Sequence, residues 1–291
     1  MIAPRKILCS DTKWHTRYFK FVAANFAGAN AAHWRLWRDR GGWTENYEVF
    51  ALVDGDRIVS TVGRTRMRLV IHGETQTGYQ LGAVATLAQY RRRGFARQLL
   101  DWVVEGVDEP GQPIILFANR SVIDFYPRFG FRRIPQLRFT APVSIMPAGT
   151  RARRCDPASA ADRSILADLC ARARPTGSPL TARDYFPVLL WHLSCRPLVA
   201  LWLPAFDAAV VAVADGDRLV VHDLIASQPF DLHLVLPALV AHPVTELEFC
   251  FNPGDWCAAN RSELDDTDEP LFARGATPIA GPVRCPDTAH T

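Results

Sequence analysis

The chain of 291 residues is 48% hydrophobic, enough for buried cores, and carries a net charge of +3 with seven cysteines. No run of 18 apolar residues occurs and the first residues form no apolar leader, so we expect no membrane span and a cytoplasmic protein. The cysteines are odd in number and contain no Cys-x-x-Cys pair, which argues against a disulfide framework and predicts no metal site.

The first elements of the chain predict a strand followed by a helical region. Residues 2–6 fit an edge strand, and residues 14–26 place several aromatic side chains near one helical face. The next segment, residues 33–43, contains three tryptophans and a glycine pair. Trp34 and Trp37 at this spacing are typical core anchors.

A β-hairpin and a further strand come next. The strand-like runs 47–53 and 57–70 flank Asp54-Gly55-Asp56, and Asp-Gly is a strong signal for a tight turn. Residues 79–87 then predict a strand that leads directly into a basic turn.

This basic turn reads Arg91-Arg92-Arg93-Gly94-Phe95-Ala96-Arg97. Apolar residues recur at helical spacing from Phe95 to Val107, so we expect a helix that begins close to Gly94. The first amides of a helix lack intrahelical acceptors and lie at the positive end of its dipole. A strand, a glycine turn and a helix in this order therefore predict an anion-binding site.

A second motif follows the helix. Residues 114–118 are apolar and predict a strand that ends at Asn119. Tyr126 and Pro127 then predict a short or kinked helix, because proline is poorly tolerated in a helix interior. Gly130 suits the C-cap of that helix.

These two motifs resemble the GNAT superfamily of acyl-CoA N-acyltransferases, with Arg91-x-x-Gly94-x-Ala96 in the place of its pyrophosphate-binding signature. The resemblance implies an α/β (α+β) GNAT fold with a mixed, mostly antiparallel central sheet flanked by helices. It implies acetyl-CoA, or another acyl-CoA, as cofactor. It also implies direct acetyl transfer, in a ternary complex, to a primary amine of a small molecule. The family usually places the helical region before its second strand at the acceptor site, so the resemblance makes residues 33–43 a candidate wall of that site.

The resemblance also assigns roles to individual residues. Tyr126 stands where the family places its proton-donating tyrosine, which is the favoured role; the alternative is that it only packs on the pantetheine or shapes the thiol pocket. The backbone near Val84 would pair with the pantetheine amides and polarise the thioester carbonyl. Asn119 would contact the cofactor or only end its strand. The predicted cofactor-binding residues are Val84, Ala85, Thr86, Arg91, Arg92, Arg93, Gly94, Phe95, Ala96, Arg97 and Asn119.

No general base is evident from the sequence. Four titratable residues fall near the predicted site: Glu48, His72, Glu74 and Asp124. The position of none of them in the sequence assigns it the role of general base. Many members of the family relay the proton through water, so this does not argue against catalysis.

Length and element order predict two domains. We expect a catalytic GNAT domain over 1–146, a linker over 147–157, and a smaller, degenerate GNAT-like domain over 158–291. The second half has Ser227-Gln228-Pro229-Phe230-Asp231 where a phosphate loop would stand, without a glycine. Residues 260–291 are expected to be mostly loop and partly disordered.

Charge divides unevenly between the halves, with +9 over residues 1–150 and −6 over 151–291. A basic half suits a cofactor with several phosphates and would also suit nucleic acid. No nucleic-acid motif is recognised, so nucleic-acid binding ranks last. Acetylation of a peptide or protein amine and a non-catalytic acyl-CoA sensor stay open as alternatives, and so does a homodimer. Three lysines against 30 arginines suggest a GC-rich bacterial genome.

Overall fold

The computed structural model describes residues 1–26, 29–177, 179–266 and 268–291. The strands in chain order are β1 Ile2–Ile7, β2 Tyr47–Asp54, β3 Arg57–Ile71, β4 Glu74–Thr86, β5 Ile114–Phe117, β6 Arg132–Ile134, β7 Leu137–Ile145, β8 Arg153–Arg154, β9 Leu180–Arg183, β10 Ala200–Leu203, β11 Ala208–Asp215, β12 Arg218–Ala226, β13 Val244–Phe249, β14 Asn260–Glu263 and β15 Leu271–Arg274. The helices are α1 Thr12–Asn25, α2 Ala31–Asp39, α3 Phe95–Glu105, α4 Ala160–Arg172, α5 Phe186–Cys195 and α6 Leu236–Leu239. None of the helices in these ranges has the length and apolar content needed to span a bilayer.

The strands form two mixed sheets, as expected for the α/β class. Sheet A has the order β1-β2-β3-β4-β5-β15-β6, with β9 beside β3. Sheet B has the order β14-β7-β13-β12-β11-β10-β8. Every pairing is antiparallel except β4 with β5 and β12 with β13. The predicted hairpin is confirmed, because β2 and β3 pair antiparallel and close at Asp54 opposite Arg57.

One helix prediction in the second half is wrong. The apolar spacing predicts a helix over 232–240, whereas the chain forms a 3₁₀ turn at Leu232–Leu234 followed by the single turn of α6. Pro237 lies in the first turn of α6, where proline is tolerated. Because Pro237 lacks a backbone N–H and its ring crowds the carbonyl four residues earlier, one continuous helix from Leu232 does not form.

Most of the described residues in 260–291 are loop, as expected, but the sequence does not predict the two strands that this stretch also contains. β14 pairs with β7 in sheet B, and β15 lies between β5 and β6 in sheet A. Phe272 is opposite Leu116 of β5 and Arg133 of β6, so the late strand joins two strands of the first half. Its apolar stretch is only three residues long and follows several acids, which leaves little local signal for a strand.

Strands from both halves of the chain close each sheet. β7, which falls within the expected first domain, pairs with β13 in sheet B. β9 and β15, from the second half, both lie in sheet A. The division into domains over 1–146 and 158–291 stays a prediction. Each sheet contains strands from both of these ranges.

The final segment, residues 285–291, is held by a buried polar network. The hydroxyl of Thr288 donates to the carboxylate of Asp223, which is fully buried on β12. Nε2 of His192 on α5 donates to the carbonyl of His290 over 2.7 Å, and its Nδ1 accepts from the Arg196 guanidinium over 3.3 Å, so this imidazole is bound in its neutral form. Burial lowers the pKa of His192 to about 4.

Phe272→Ala tests whether β15 is part of the sheet A core. The ring is 2% exposed, so its removal should lower the free energy of unfolding by about 3–5 kcal/mol. Urea denaturation of both proteins measures this difference. Leu234→Ala is the control, because Leu234 is 68% exposed and its loss should cost little. A cost below about 1 kcal/mol for Phe272→Ala would place this segment outside the core.

His192→Gln tests the buried histidine. In the unfolded chain His192 becomes protonated below pH 6.5, whereas in the folded chain it becomes protonated only near pH 4. The free energy of unfolding therefore falls as the pH drops from 6.5 to 4, by up to about 1.4 kcal/mol per pH unit from this one group. Denaturation across this range should show a shallower loss for His192→Gln than for the parent. The control His242→Gln removes an exposed histidine and should keep the parent slope.

Candidate functional site

β4 and β5 separate after a short parallel contact. Their pairing runs only from Tyr79 opposite Ile114 to Leu81 opposite Leu116. Beyond this point β4 carries a bulge, since Gly63 on β3 is opposite Gly82 while Thr61 is opposite Ala85. A bulge bends its strand and interrupts the ladder. The backbone of residues 82–86 therefore leaves β5 and forms one side of an open cleft.

The bulge is held in place by a side chain of the neighbouring strand. Ala83 has φ +48°, an unfavourable value for a residue with a Cβ. The hydroxyl of Thr61 donates to the carbonyl of Ala83 over 2.7 Å and so stabilises this conformation. The strain falls at the point where β4 turns away from β5.

The basic turn after β4 has the predicted form. Gly94 adopts φ +79° as the N-cap of α3, which begins at Phe95. Arg91, Arg92 and Arg93 are exposed, and none forms an ion pair within the described residues. A Cβ built on Gly94 meets no atom within 4 Å, so open space lies beside the first amides of α3. The turn is therefore exposed and positively charged, with the first amides of a helix beside open space, which is the arrangement that favours an anion.

Asn119 and Tyr126 lie where β5 ends. Asn119 caps the 3₁₀ turn Arg120–Val122, and its side-chain oxygen accepts from the backbone N–H of Ser121 over 2.9 Å. Tyr126 begins a second 3₁₀ turn, Tyr126–Phe129, which ends at Gly130 in the left-handed region. The short helix and its glycine cap are therefore confirmed, as two separate turns.

The environment of Tyr126 keeps its phenol protonated. The residue is 4% exposed, and burial raises its pKa to about 12. Its ring centroid lies 5.8 Å from that of Phe272 on β15 and 6.0 Å from that of Phe131. The phenol is therefore protonated at neutral pH, as an ordinary tyrosine also is, and its raised pKa makes it a weaker acid.

A cavity of about 720 Å³ opens beside the cleft. Val84, Asn119 and Tyr126 line it. Ala85 and Thr86 lie outside its lining, and so does the basic turn 91–97, which continues from the same strand at the surface. The structure thus brings three of the predicted site residues together around one cavity. The other predicted site residues lie outside the lining of this cavity.

None of the four residues considered as general base lines this cavity. Glu48 pairs with Lys6 and with Arg64, and His72 contacts the carbonyl of Pro278 at 3.1 Å. The carboxylates that do line it are Asp184, Asp268 and Glu269. All three come from the second half, where no local motif marks them, so sequence reasoning missed them.

Residues at the end of the described chain also reach the cavity. Thr291 lines it, and its backbone N–H donates to the side-chain oxygen of Gln80 on β4. The Gln80 amide donates in turn to the carbonyl of Ala289 over 2.9 Å. A Cβ on Gly82 would lie 2.8 Å from the carbonyl oxygen of Thr291, so this approach requires glycine. The tail is thus part of the cavity wall.

The tryptophans of residues 33–43 have both roles that the sequence allows. Trp37 is 5% exposed, and its Nε1 donates to the carbonyl of Pro187 over 2.7 Å. It is therefore a core anchor between α2 and α5. Trp34 and Trp37 also line the cavity, opposite the end of β4.

One cluster outside the cavity has the composition of a metal site. Ligand atoms of His222, Cys250 and Asp287 lie within 4.8 Å of one another. The Asp287 carboxylate is already bonded to His222 Nδ1 at 2.9 Å and to Arg196 at 3.1 Å. The guanidinium repels a cation, so the cluster acts as an anchor of the tail.

Comparisons with known proteins agree with this geometry. A family model described as an acetyltransferase (GNAT) domain matches residues 10–134. A search among curated proteins finds no match.

Several solved structures are similar to this chain. A probable N-acyltransferase from Enterococcus faecalis is 12% identical with a TM-score of 0.62, and the match covers 94% of this chain and 72% of the Enterococcus chain. A GCN5-related N-acetyltransferase from Kribbella flavida is 16% identical, with a TM-score of 0.57 and coverages of 94% and 71%. Eis1 from Mycobacterium abscessus is 17% identical, with a TM-score of 0.57 and coverages of 94% and 73%. At these identities the likeness shows a shared fold.

Proposed function

Since the chain carries a GNAT acetyltransferase domain over residues 10–134, we propose that it is an acetyl-CoA-dependent N-acetyltransferase acting on the primary amine of a small molecule. One observation carries the proposal. The strand that leaves its partner at the cavity is the strand that leads into the basic turn at Gly94. A long ligand with an anionic end and a reactive end fits this arrangement.

The residues of the cleft and turn fit such a ligand. The first amides of α3 and the arginines of the turn 91–97 would hold the pyrophosphate, with Gly94 leaving room for its approach. The backbone of Val84, Ala85 and Thr86 would hold the pantetheine amides as an added strand, because β5 does not pair with it. When bound, acetyl-CoA supplies an acetyl group activated as a thioester.

The chain's own groups would then handle charge and protons. A backbone N–H near Val84 would stabilise negative charge on the acyl oxygen. Tyr126 would hold a proton at its phenol oxygen for the sulfur, and its position on the cavity wall supports this role, whereas its pKa of about 12 makes the phenol a weaker acid than an ordinary tyrosine. Asp184, Asp268 and Glu269 are the lining carboxylates available to take a proton from the amine, directly or through water.

Gly94→Glu tests the proposed pyrophosphate site. A carboxylate and its bulk at this position should abolish binding of acetyl-CoA, measured by calorimetry and by thermal stabilisation. Gly216→Glu is the matched control, because Gly216 also has a positive φ and open space around its Cβ position. The control should lose comparable stability to backbone strain and keep its affinity. Retained binding by Gly94→Glu would contradict the assignment of the turn.

Tyr126→Phe tests the proton donor. We expect kcat for acetyl transfer, followed by thiol release, to fall at least about tenfold while the Kd for acetyl-CoA changes less than about twofold. The parent should lose no activity through Tyr126 deprotonation between pH 7 and 10, because its pKa is about 12. Tyr90→Phe, outside the cavity, is the control. An unchanged kcat would remove Tyr126 from the chemistry.

A further inference from the structure

Two parts of the cavity wall come from segments of the second half that lie far apart in the sequence. Tyr185 lines the cavity where β9 ends, directly after the lining carboxylate Asp184, and it is the N-cap of α5. Thr291 lines the cavity at the end of the tail, residues 285–291. The shape of this side of the cavity therefore depends on what holds Tyr185 and the tail in place.

One buried carboxylate holds both segments. Asp223 on β12 is 0% exposed, and its Oδ2 accepts from the hydroxyl of Tyr185 over 2.6 Å and from the hydroxyl of Thr288. Its Oδ1 accepts from the backbone N–H of Leu224 over 2.9 Å. All three neighbours are donors and suit an ionised carboxylate, and hydrogen bonds to a charged acceptor are the stronger kind. Burial raises the pKa of Asp223 to about 6, which leaves the carboxylate mostly ionised at pH 7.

Asp223 lies where the two parallel strands of sheet B part. The pairing of β12 with β13 ends at Val221, and His222 and Asp223 follow directly on β12. The tail contacts these two residues, through Asp287 to His222 and through Thr288 to Asp223. The tail therefore lies beside the part of β12 that β13 has left. In sheet A the corresponding split between β4 and β5 faces the cavity.

The buried charge has an effect that packing alone would not supply. Burying a carboxylate costs free energy that its hydrogen bonds must offset. An apolar side chain would fill the same space without that cost, but it could not bind two hydroxyls at one point. Because hydrogen bonds require a narrow range of distance and angle, the shared oxygen fixes Tyr185 and Thr288 relative to each other.

We infer that Asp223 is a positioning residue for the acceptor amine. Its bond to Tyr185 fixes the wall that continues from Asp184, and its bond to Thr288 fixes the wall formed by the tail. Asp223 lies outside the described lining of the cavity, so it acts on the acceptor only through these two walls. A displacement of about 1 Å can cost about a hundredfold in rate. The inference rests on the proposed function, because it concerns the acceptor side of the same cavity.

Single hydroxyl deletions test the two bonds. Tyr185→Phe and Thr288→Val each remove one donor and nearly keep the size of the side chain. We expect each to lower kcat/KM for the acceptor at least about fivefold and to change the Kd for acetyl-CoA less than about twofold. Thiol release with spermidine, tyramine and lysine selects the amine for this assay, and calorimetry measures the Kd.

Combined variants separate positioning from a loss of stability. Asp223→Asn should lower kcat/KM more than either deletion, because an amide N–H then meets donors in place of a carboxylate oxygen. Adding both deletions to Asp223→Asn should lower kcat/KM no further, since the three residues act as one unit. A merely structural role would instead give losses that add and that follow the Tm.

Cys285 reports whether the tail is docked. Its thiol is 1% exposed, and burial raises its pKa to about 12, so it reacts slowly with iodoacetamide while the tail is in place. Thr288→Val and Asp223→Asn should react at least about tenfold faster at Cys285, whereas Tyr185→Phe should keep the parent rate. Mass spectrometry of peptides locates the label. Cys170 on α4, which is 0% exposed, detects opening of the whole fold.

Asp162→Asn is the matched control. Asp162 is a buried carboxylate on α4 that accepts from Arg153 over 2.7 Å outside the cavity lining, so this variant should keep the parent kcat/KM and the parent labelling. The inference is overturned if kcat/KM stays within about twofold of the parent in both hydroxyl deletions. It is also overturned if Thr288→Val labels Cys285 no faster than the parent, or no faster than it labels Cys170. Failure of acetyl-CoA to stabilise the parent would instead overturn the proposed function, and the labelling does not depend on which amine is the acceptor.

Discussion

The separation of β4 from β5 is the constraint on which the rest of this structure depends. Two parallel strands that pair over only three residues leave backbone donors and acceptors unpaired at the edge where they part. Unpaired backbone groups are costly unless water or a ligand satisfies them. The bulge at Ala83, with its bond from Thr61, makes this opening a fixed feature of the fold. The basic turn and the cavity lie on either side of it.

Local chemistry explains why the basic turn and the elements around it could be predicted from the sequence. The turn at Gly94, the helix from Phe95 and the cap at Gly130 each depend on neighbours a few residues away, so spacing and residue type are sufficient. The wall formed by Trp191, Asp184 and Glu269 depends on contacts between segments more than 100 residues apart. No periodicity or motif in one sequence encodes such contacts, which is why sequence reasoning did not find the carboxylates that line the cavity.

The late strand β15 shows the same limit in the fold itself. Its three apolar residues, Leu271, Phe272 and Ala273, follow an acidic stretch that is typical of a loop. They form a strand because β5 and β6 offer edges on both sides, and hydrogen bonding to two strands outweighs weak local preference. The tail beyond it then reaches Gln80 and Gly82, so the second half completes a cavity whose catalytic tyrosine candidate lies in the first.

The position of β15 also has a consequence for synthesis of the protein. A chain emerges from the ribosome with its N-terminal part first, and domains commonly fold as they emerge. Here sheet A lacks an interior strand until residue 274 has been made, and β6 has no neighbour in that sheet before then. Its final pairing is highly non-local, which slows folding. The edges of β5 and β6 therefore stay unpaired until β15 has been made. Unpaired strand edges can pair with other chains, so this part of the nascent chain benefits from protection by a chaperone.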